Sequence, residues 1–574
     1  MKSDINIILS GYSGEGIQFM GYHLSYILYI NNYYIKTYNN IPSEILSPTK
    51  TITDLSEFII RFSNKKINSY FNFKNNIFLF TNYISFKKNL IYIKYYSILI
   101  LDFNDIELKK ILKSNILNKI KYKYIYYLNS KKKINIKLKI KYNILEINRL
   151  KNSFYIGFLL YLLNLSINTS KKFLKKKLIH KKKLFLLNYR LLKLGYKIGK
   201  KNKILKINLL KNKLKSNITN QLINGNLGIT LGLIFSSIKY NKGIFYSSYP
   251  ITPSTSINYY LKKNLKYIKS LKIFDAEDEI SAINTSIGAS LYNKYIGVVS
   301  TSGPGMSLIQ ESLGLAVVYE IPLIIINVQR VGPSTGYPTK IEQSDLMQAI
   351  YGRHGEAPIP VFAIYKISNI IKLISFIFKL SFKLQTPIII LSDISISNNY
   401  SLSKKLKYYN IKINNIKIKK KLVNNINKDK CIGGLVTDIN NHYNIIKKRQ
   451  SKINYILNYK KINYLFNIDK YGKILIISWG STYEIIIESI NKLIKKKYKI
   501  GYIHFICLYP IQYELIENNY YKFKKIVVFE LNNKQLYYII KSYSNINLNL
   551  FYYNKMNGQS FTISEIVKYI KKIY

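Results

Sequence analysis

The stretch YIGVVSTSGPGMSLIQESLGLAVVYEIPLIIINVQRVGPSTGYPT, residues 295–339, decides the fold class of this chain. Its apolar runs at 296–300 and 322–328 are typical of buried strands. TSGPG (301–305) predicts a tight turn, because glycine adopts positive φ angles without steric cost. The spacing predicts a helix from 306 to about 319. A strand, turn, helix and second strand form the βαβ unit of a parallel sheet.

The same stretch lacks lysine, although the chain carries 89 lysines and arginines in 574 residues. Glycine, proline, serine and threonine take the place of lysine, and a buried core alone does not require so many of them. Ligands of parallel sheets collect at the carboxyl ends of the strands. Three motifs lie at such ends, namely YPITPS (249–254), TSGPG and QRVGPSTG (329–336).

Candidate chemical groups flank these motifs. The acids of DAEDE (275–279) lie at a predicted helix start, where they either stabilise the helix dipole or direct one carboxyl into a cleft. In a cleft, crowding and apolar walls raise a carboxyl pKa, so that the protonated acid can donate to a ring nitrogen. Arg330 directly follows a strand. It is either a surface residue or a residue that binds a carboxylate through two hydrogen bonds. Thr252 and Thr339 are either turn residues or hydroxyl donors.

The composition excludes several classes of protein. An apolar fraction of 48% excludes wholesale disorder. Two cysteines, Cys431 and Cys507, exclude a disulfide scaffold, a four-cysteine zinc site and a self-contained iron–sulfur cluster. We expect no metal site, and His354 is interpreted as structural and both cysteines as incidental. The stretch 370–384 is interrupted by lysines, and no targeting segment is evident, so we expect a cytoplasmic protein without a membrane partner.

The net charge of +61 suggests a polyanion partner, but only six of the basic residues are arginines. Lysine, isoleucine, asparagine, tyrosine and phenylalanine are all encoded by codons rich in A and T. A biased genome composition therefore explains the charge better than selection for nucleic acid, which arginine reads better than lysine. A basic nucleic-acid-binding protein is kept as the alternative function.

Taken together, the motifs resemble a known family. The runs NGNLGITLG, YPITPS, DAEDEISAIN, TSGPGMSLIQESLG, VQRVGPSTGYPTKIEQSDL and YGRHGEAP resemble the α subunit of 2-oxoacid:ferredoxin oxidoreductases of the 2-oxoglutarate type. The N-terminal SGYSGEGIQFMG and IPSEILSP resemble the γ domain that is fused ahead of α in this group. The C-terminal ISWGSTYE, ELNNKQL and NGQSF resemble its transketolase C-terminal-like domain.

The resemblance implies a multidomain α/β protein. Its expected parts are a Rossmann-like γ-type domain, a linker, a parallel-sheet domain that binds the pyrimidine of thiamine diphosphate, a charged connecting segment and a transketolase C-terminal-like domain. Their expected bounds are, in that order, 1–190, 191–219, 220–400, 401–470 and 471–574.

The resemblance also implies an enzyme of the 1.2.7 class. It oxidatively decarboxylates a 2-oxo acid, with 2-oxoglutarate favoured, to an acyl-coenzyme A and CO2, and passes the electrons to ferredoxin. Glu279 is the implied catalytic acid, which contacts the cofactor's aminopyrimidine ring and promotes the imino tautomer that deprotonates the thiazolium carbon. Pro250, Ser302 and Gly303 are further cofactor contacts.

The substrate and partners follow from the same resemblance. Thr252 and Arg330 would hold the substrate's carboxylate, and Thr339 would line the same pocket. The chain has no GDG-type turn for Mg²⁺ and too few cysteines for a 4Fe-4S cluster, so a β subunit is expected to carry both and to complete the site. A thiamine diphosphate enzyme that acts on pyruvate or branched-chain 2-oxo acids remains a second alternative.

Overall fold

The computed structural model divides the chain into two compact units. The first comprises Met1–Leu222 and Tyr400–Lys405, and the second Ile223–Asn399 and Leu406–Tyr574. The structure describes residues 4–42, 55–70, 76–113, 122–138, 144–210, 219–265, 268, 270–292, 294–406, 438–468, 472–543 and 549–574. Cys431 and most of IPSEILSP lie outside these described residues.

Strands and helices alternate along much of the chain. The strands are β1 (Asp4–Tyr12), β2 (Tyr34–Asn40), β3 (Leu55–Ser63), β4 (Asn76–Phe80), β5 (Ile98–Leu101), β6 (Tyr124–Tyr127), β7 (Asn220–Asn224), β8 (Gly243–Ser248), β9 (Leu271–Asp275), β10 (Tyr295–Thr301), β11 (Leu323–Gln329), β12 (Val361–Ala363), β13 (Pro387–Asp393), β14 (Tyr400–Lys404), β15 (Tyr464–Ile468), β16 (Gly472–Trp479), β17 (Ile500–Phe505), β18 (Cys507–Tyr509), β19 (Phe523–Glu530) and β20 (Leu550–Asn554). The helices are α1 (Ile17–Ile30), α2 (Tyr83–Asn89), α3 (Asp105–Lys113), α4 (Ser130–Leu138), α5 (Ile144–Leu162), α6 (Ile167–Lys177), α7 (Lys182–Lys201), α8 (Gly225–Tyr240), α9 (Thr255–Asn264), α10 (Glu279–Leu291), α11 (Gly303–Leu308), α12 (Gln310–Val318), α13 (Leu346–Tyr351), α14 (Ile370–Leu384), α15 (Ile394–Asn398), α16 (Ile439–Asn454), α17 (Lys460–Asn463), α18 (Tyr483–Ile494), α19 (Glu514–Tyr520), α20 (Gln535–Tyr543) and α21 (Ile563–Ile573).

The first unit is built on an eight-stranded mixed sheet in the order β6-β5-β4-β1-β3-β2-β14-β7. Strand β1 pairs in parallel with β4 and antiparallel with β3. Its apolar side chains, such as Ile7 and Leu9, are fully buried in a core shared with α1 and α5. The predicted linker begins at residue 191, but α7 continues to Lys201 and buries Leu191 and Leu192 in that core.

Helices α5 and α7 approach each other closely at two glycines. A methyl group on Gly157 would lie 2.0 Å from the carbonyl oxygen of Leu192, and one on Gly195 would lie 2.0 Å from that of Phe154. Both contacts are with backbone, which cannot rotate away. Only glycine at these two positions therefore allows the observed separation of the helices.

Gly157→Ala should destabilise the first unit, because α5 and α7 must separate to accept the methyl group. We expect a loss of about 3 kcal/mol, measured by chemical unfolding of the full chain. Gly199→Ala in α7 is the control and should cost less, since the nearest contacts of its methyl group are side-chain atoms of Tyr161, at 2.8 to 3.0 Å, and not backbone. A Gly157→Ala chain that unfolds with the wild type would contradict the close packing.

The second unit contains a seven-stranded sheet in the order β18-β12-β13-β11-β10-β8-β9. All of its strand pairs are parallel except β12 with β18. Every residue of β11 is buried, as expected for a strand covered by helices on both faces. The structure confirms the predicted α/β fold class. The helix predicted over 306–319 is divided into α11 and α12, with Ile309 between them.

A five-stranded sheet in the order β15-β17-β16-β19-β20 forms the C-terminal part of this unit. Its core is continuous with that of the seven-stranded sheet, since Leu475 and Trp479 lie in one cluster with Ile325. The charged segment predicted over 401–470 includes α16 and the edge strand β15. In α14, Lys372, Lys379 and Lys383 are exposed and the apolar residues face the core. No helix of the described residues has the length and apolar character needed to span a membrane.

Candidate active site

The candidate site lies at the carboxyl ends of the parallel strands β8, β9, β10 and β11. These strands are neighbours in the order β11-β10-β8-β9, so that the loops after them share one edge of the sheet. Thr252 follows β8, Glu279 follows β9, Ser302 follows β10 and Arg330 follows β11. The topology thus gathers these predicted residues at one edge, where ligands of such sheets bind.

Glu279 is the first residue of α10 and turns inward. The preceding Asp278 caps the helix by accepting a hydrogen bond from the backbone N–H of Ser281 at 2.6 Å. The capping role is therefore filled by Asp278, and Glu279 is only 6% exposed. Burial raises the pKa of Glu279 and the charge of Asp278 adds to it, while its own backbone N–H and Arg330 act in the opposite direction.

Gly305 makes room for the Glu279 side chain. A methyl group on Gly305 would lie 2.5 Å from Oε1 of Glu279 and 2.2 Å from Oγ1 of Thr301. The predicted reason for glycine in TSGPG was a positive φ, and this is wrong. Neither Gly303 nor Gly305 has a positive φ, since α11 begins at Gly303. Close approach, and not backbone conformation, requires glycine here.

Gly305→Ala should lower activity strongly, because the added methyl group displaces the Glu279 carboxyl. We expect a loss of roughly 100-fold in kcat/KM, measured by steady-state assay of the complete enzyme. Gly314→Ala in α12 is the matched control, because no atom lies within 4 Å of its added methyl group. Equal activities of the two variants would mean that the position of Glu279 is not critical.

Arg330 is buried at the same edge. It is 6% exposed, and its Nη1 donates a hydrogen bond to the backbone carbonyl of Thr252 at 2.7 Å. Its buried Nε has no hydrogen-bond partner among the described residues. Burial lowers the pKa of Arg330, while the negative charges of Asp345 and Glu279 oppose that shift. Arg330 is thus a fixed cation whose Nε–H is available to a ligand.

Asp345 is a second buried carboxyl at the site, and the sequence analysis did not single it out. Nδ2 of Asn327 donates to its Oδ2 at 2.9 Å, and its backbone N–H donates to Oε1 of Gln329 at 3.1 Å. Both carboxyl oxygens would lie 3.2 Å from a methyl group on Gly303. Burial raises the pKa of Asp345 to about 6.

The C-terminal motif ELNNKQL holds the loop that leads to Asp345. The backbone N–H of Gln343 donates to the carbonyl of Leu531 at 2.8 Å, and Nδ2 of Asn532 donates to the carbonyl of Gln343 at 2.8 Å. Nε2 of Gln535 donates to the carbonyl of Ser344 at 2.6 Å. The C-terminal sheet therefore fixes one side of the candidate site.

The remaining predicted residues differ in position. Ser302 is fully buried and its Oγ has no partner among the described residues. Thr252 and Pro250 are exposed. Thr339 is half-buried beside Lys340, whose carbonyl accepts a hydrogen bond from the backbone N–H of Val331 at 3.1 Å.

Of the three residues interpreted as non-catalytic, the structure describes His354 and Cys507. His354 is exposed in the loop after α13. Cys507 is fully buried, and its Sγ donates to the backbone carbonyl of Tyr509 at 3.3 Å. Burial raises the pKa of Cys507 far above its usual range, so the thiol is inert at neutral pH.

The residues present fit thiamine diphosphate. A carboxyl with a raised pKa can donate a hydrogen bond to a ring nitrogen, and Glu279 is such a group. The unpartnered Oγ of Ser302 and Nε of Arg330 supply further polar atoms for a ligand. Buried polar atoms without partners are rare in native proteins, and they indicate that a ligand completes the site.

Models of three protein families match successive parts of the chain. Residues 238–455 match the thiamine diphosphate-binding domain of pyruvate flavodoxin/ferredoxin oxidoreductases. Residues 6–198 match the pyruvate ferredoxin/flavodoxin oxidoreductase family, and 472–566 match core domain II of pyruvate:ferredoxin oxidoreductase.

Individual relatives define the group more narrowly. The 2-oxoglutarate synthase subunit KorA of Archaeoglobus fulgidus is 32% identical over 324 residues, which are 55% of this chain and 89% of the relative. The 2-oxoglutarate oxidoreductase subunit KorA of Mycobacterium tuberculosis is 29% identical over 74% of this chain and 68% of its own length. The structure of 2-oxoglutarate:ferredoxin oxidoreductase from Magnetococcus marinus, solved with 2-oxoglutarate, coenzyme A and succinyl-CoA bound, aligns over the whole of both chains with a TM-score of 0.84 and 26% identity. The chain therefore belongs to the KorA family, the α-type subunits of 2-oxoglutarate:ferredoxin oxidoreductases.

Proposed function

We propose that this chain binds the 2-oxo acid and the aminopyrimidine of thiamine diphosphate at the carboxyl ends of β8–β11. A β subunit then completes the active site. The observation that carries the proposal is the pairing of a buried acid with a raised pKa, Glu279, with a buried cation, Arg330, at one edge of the sheet. The acid suits a ring nitrogen of the aminopyrimidine, and the fixed cation suits the carboxylate of the 2-oxo acid.

The acid acts through its proton. Thiamine diphosphate, when bound, would supply a nucleophilic carbon for the keto group and a thiazolium ring that takes up the electron pair released with CO2. Glu279 donates a hydrogen bond from its protonated carboxyl to a nitrogen of the aminopyrimidine ring. The wall formed by Gly305 and Thr301 holds that carboxyl in one orientation. Burial keeps the proton on Glu279 at a pH where an exposed glutamate would have lost it.

The cation acts on the substrate. Nη1 of Arg330 is held by the carbonyl of Thr252, which directs the guanidinium and leaves Nε available for a substrate carboxylate. Thr252 is exposed at the same loop, so that its hydroxyl can donate to that carboxylate as well. Thr339 lines the pocket from the loop that follows Arg330. Ser302, Gly303 and Pro250 contact the cofactor.

The proposed β subunit holds the metal ion and the cluster that this chain is not expected to bind. We assign Mg²⁺ and the 4Fe-4S cluster to the β subunit, with ferredoxin as electron acceptor and coenzyme A as acyl acceptor. The names of the relatives, which are subunits of 2-oxoglutarate oxidoreductases, support such a partner. The cytoplasmic location stays a prediction.

The proposal is tested on the complex purified through a tag on this chain from its own cells. We expect methyl viologen reduction that depends on both 2-oxoglutarate and coenzyme A, together with iron–sulfur absorbance that belongs to a second polypeptide. Pyruvate and branched-chain 2-oxo acids, assayed in parallel, define the substrate range. A tagged chain that is purified without a partner and carries the cluster itself would contradict the assignment of the cluster to the β subunit.

A further inference from the structure

Asp345 occupies a helix-capping position but does not cap the helix. It precedes α13, yet its side chain makes no capping hydrogen bond. The carboxylate instead turns to β11, where it accepts from Nδ2 of Asn327 at 2.9 Å. Its own backbone N–H is held by the Gln329 side chain at 3.1 Å. Two side chains of one strand thus fix a carboxylate beside the residue that follows that strand, Arg330.

The charges around Asp345 are few and identifiable. Arg330 faces it from the end of β11, and Glu342 faces it from the loop between β11 and α13. Glu279, at the start of α10, is the other carboxyl that acts on Arg330. Asp345 is not bonded directly to Arg330, so its influence on the guanidinium acts through space. The low polarity of this buried region strengthens such an influence.

We propose that Asp345 is a positioning residue that partly offsets the charge of Arg330, so that the substrate's carboxylate is held but not bound too tightly to leave as CO2. The inference rests on the proposed role of Arg330. Asp345 is the first of the two carboxyls that act on Arg330, and Glu279, the second, is assigned to the ring nitrogen of the cofactor.

The reason lies in how charge changes during decarboxylation. The bond between the carboxyl carbon and the keto-derived carbon breaks, its electron pair stays with the keto-derived carbon, and neutral CO2 leaves. A cation that grips the carboxylate stabilises the state before this step more than the state after it. A fixed anion near that cation weakens the grip before the step and neutralises the cation afterwards. Asp345 therefore raises both KM and kcat, by destabilising the bound substrate relative to the transition state.

Asp345→Asn in the complete enzyme is the test. We expect KM for 2-oxoglutarate at pH 7.5 to fall about five-fold and kcat to fall by about as much or more. The asparagine keeps the shape of aspartate, and its side-chain carbonyl can still accept the hydrogen bond from Nδ2 of Asn327. Thermal unfolding of the variant should therefore match that of the wild type.

Glu342→Gln is the matched control. Glu342 is a half-buried carboxyl of the same loop; burial raises its pKa, and its Oε2 accepts from the backbone N–H of Gly332 at 3.2 Å. Its charge is not among those that act on Arg330. A loosened loop would raise KM in both variants, whereas loss of a counter-charge lowers KM only in Asp345→Asn.

Binding without turnover supplies an independent readout. In the complex stripped of thiamine diphosphate, titration calorimetry should show 2-oxoglutarate binding about five-fold tighter to Asp345→Asn than to the wild type at pH 7.5. Because the pKa of Asp345 is raised to about 6, its carboxyl is charged at pH 7.5 and largely protonated at pH 5.5. The wild type should therefore bind more tightly at pH 5.5, and the difference between the two proteins should disappear.

The possible outcomes separate the inference from the function on which it rests. If Arg330→Ala leaves 2-oxoglutarate binding unchanged, Arg330 does not bind the substrate carboxylate, and the inference about Asp345 is then wrong as well. If Arg330→Ala weakens binding while Asp345→Asn binds like the wild type or more weakly, only the role of Asp345 is overturned. A lower KM with an unchanged kcat would also contradict it, because the weakened grip must assist decarboxylation.

Discussion

Glu279→Gln should abolish electron transfer from 2-oxoglutarate to methyl viologen in the complete enzyme while leaving the complex assembled. Glutamine keeps the size of the side chain but has no acidic proton to share with a ring nitrogen. Positioned acid–base groups contribute roughly 100- to 10,000-fold to rates, and we expect a loss in kcat within that range. The measurement is kcat with saturating 2-oxoglutarate, coenzyme A and thiamine diphosphate.

The acidic turn itself provides the control for this variant. Glu277 is two residues away and exposed, so Glu277→Gln removes one negative charge from the same turn without touching the buried carboxyl. We expect it to retain most of the wild-type kcat. Retained activity in Glu279→Gln would show that the buried carboxyl is not required, and an equal loss in both variants would show that the turn acts only through its total charge.

Arg330→Ala should lower kcat/KM for 2-oxoglutarate by about 100-fold, mainly through KM. The variant loses a charge-assisted contact to the substrate carboxylate and the bond that holds the carbonyl of Thr252. Arg330→Lys should restore part of the loss, because lysine keeps the charge but not the planar donor geometry. The measurement is a substrate titration of each variant in the viologen assay.

Arg353, a half-buried arginine, distinguishes this effect on KM from a general loss of stability. Arg353 donates to the backbone carbonyls of Ala349, Ile350 and Ala357 at 3.0, 2.6 and 2.9 Å. Arg353→Lys should therefore lower thermal stability and leave KM near the wild-type value. An unchanged KM in Arg330→Ala would mean that another group holds the substrate carboxylate.

Much of the site follows from one rule about parallel sheets. The buried strands 296–300 and 322–328 are visible as apolar runs, and residues that follow parallel strands lie at a common edge. That rule brings Thr252, Ser302 and Arg330 to one edge from sequence alone, whereas Glu279 is predicted only to lie at a helix start and reaches that edge because its helix follows β9. The acids of DAEDE have different roles for a physical reason. Asp278 caps α10, so Glu279 is not needed as a cap and its side chain turns inward.

Other features depend on contacts that a linear pattern does not contain. Asp345 lies in the motif KIEQSDL, but its importance comes from the Asn327 side chain that turns it away from its own helix. The linker predicted from residue 191 contains many lysines, yet Gly195 brings α7 against the backbone of α5 at Phe154. Lysine is frequent both on the exposed side of packed helices and in segments that do not pack. The lysine content therefore does not show which helix faces are packed.

Proton exchange at the thiazolium carbon measures whether a protonated Glu279 activates the bound coenzyme. The complex is loaded with thiamine diphosphate, mixed with D2O, quenched in acid and analysed by NMR. We expect exchange that is much faster in the wild type than in Glu279→Gln, with Glu277→Gln resembling the wild type. Equally fast exchange in Glu279→Gln would mean that the coenzyme is activated without this carboxyl.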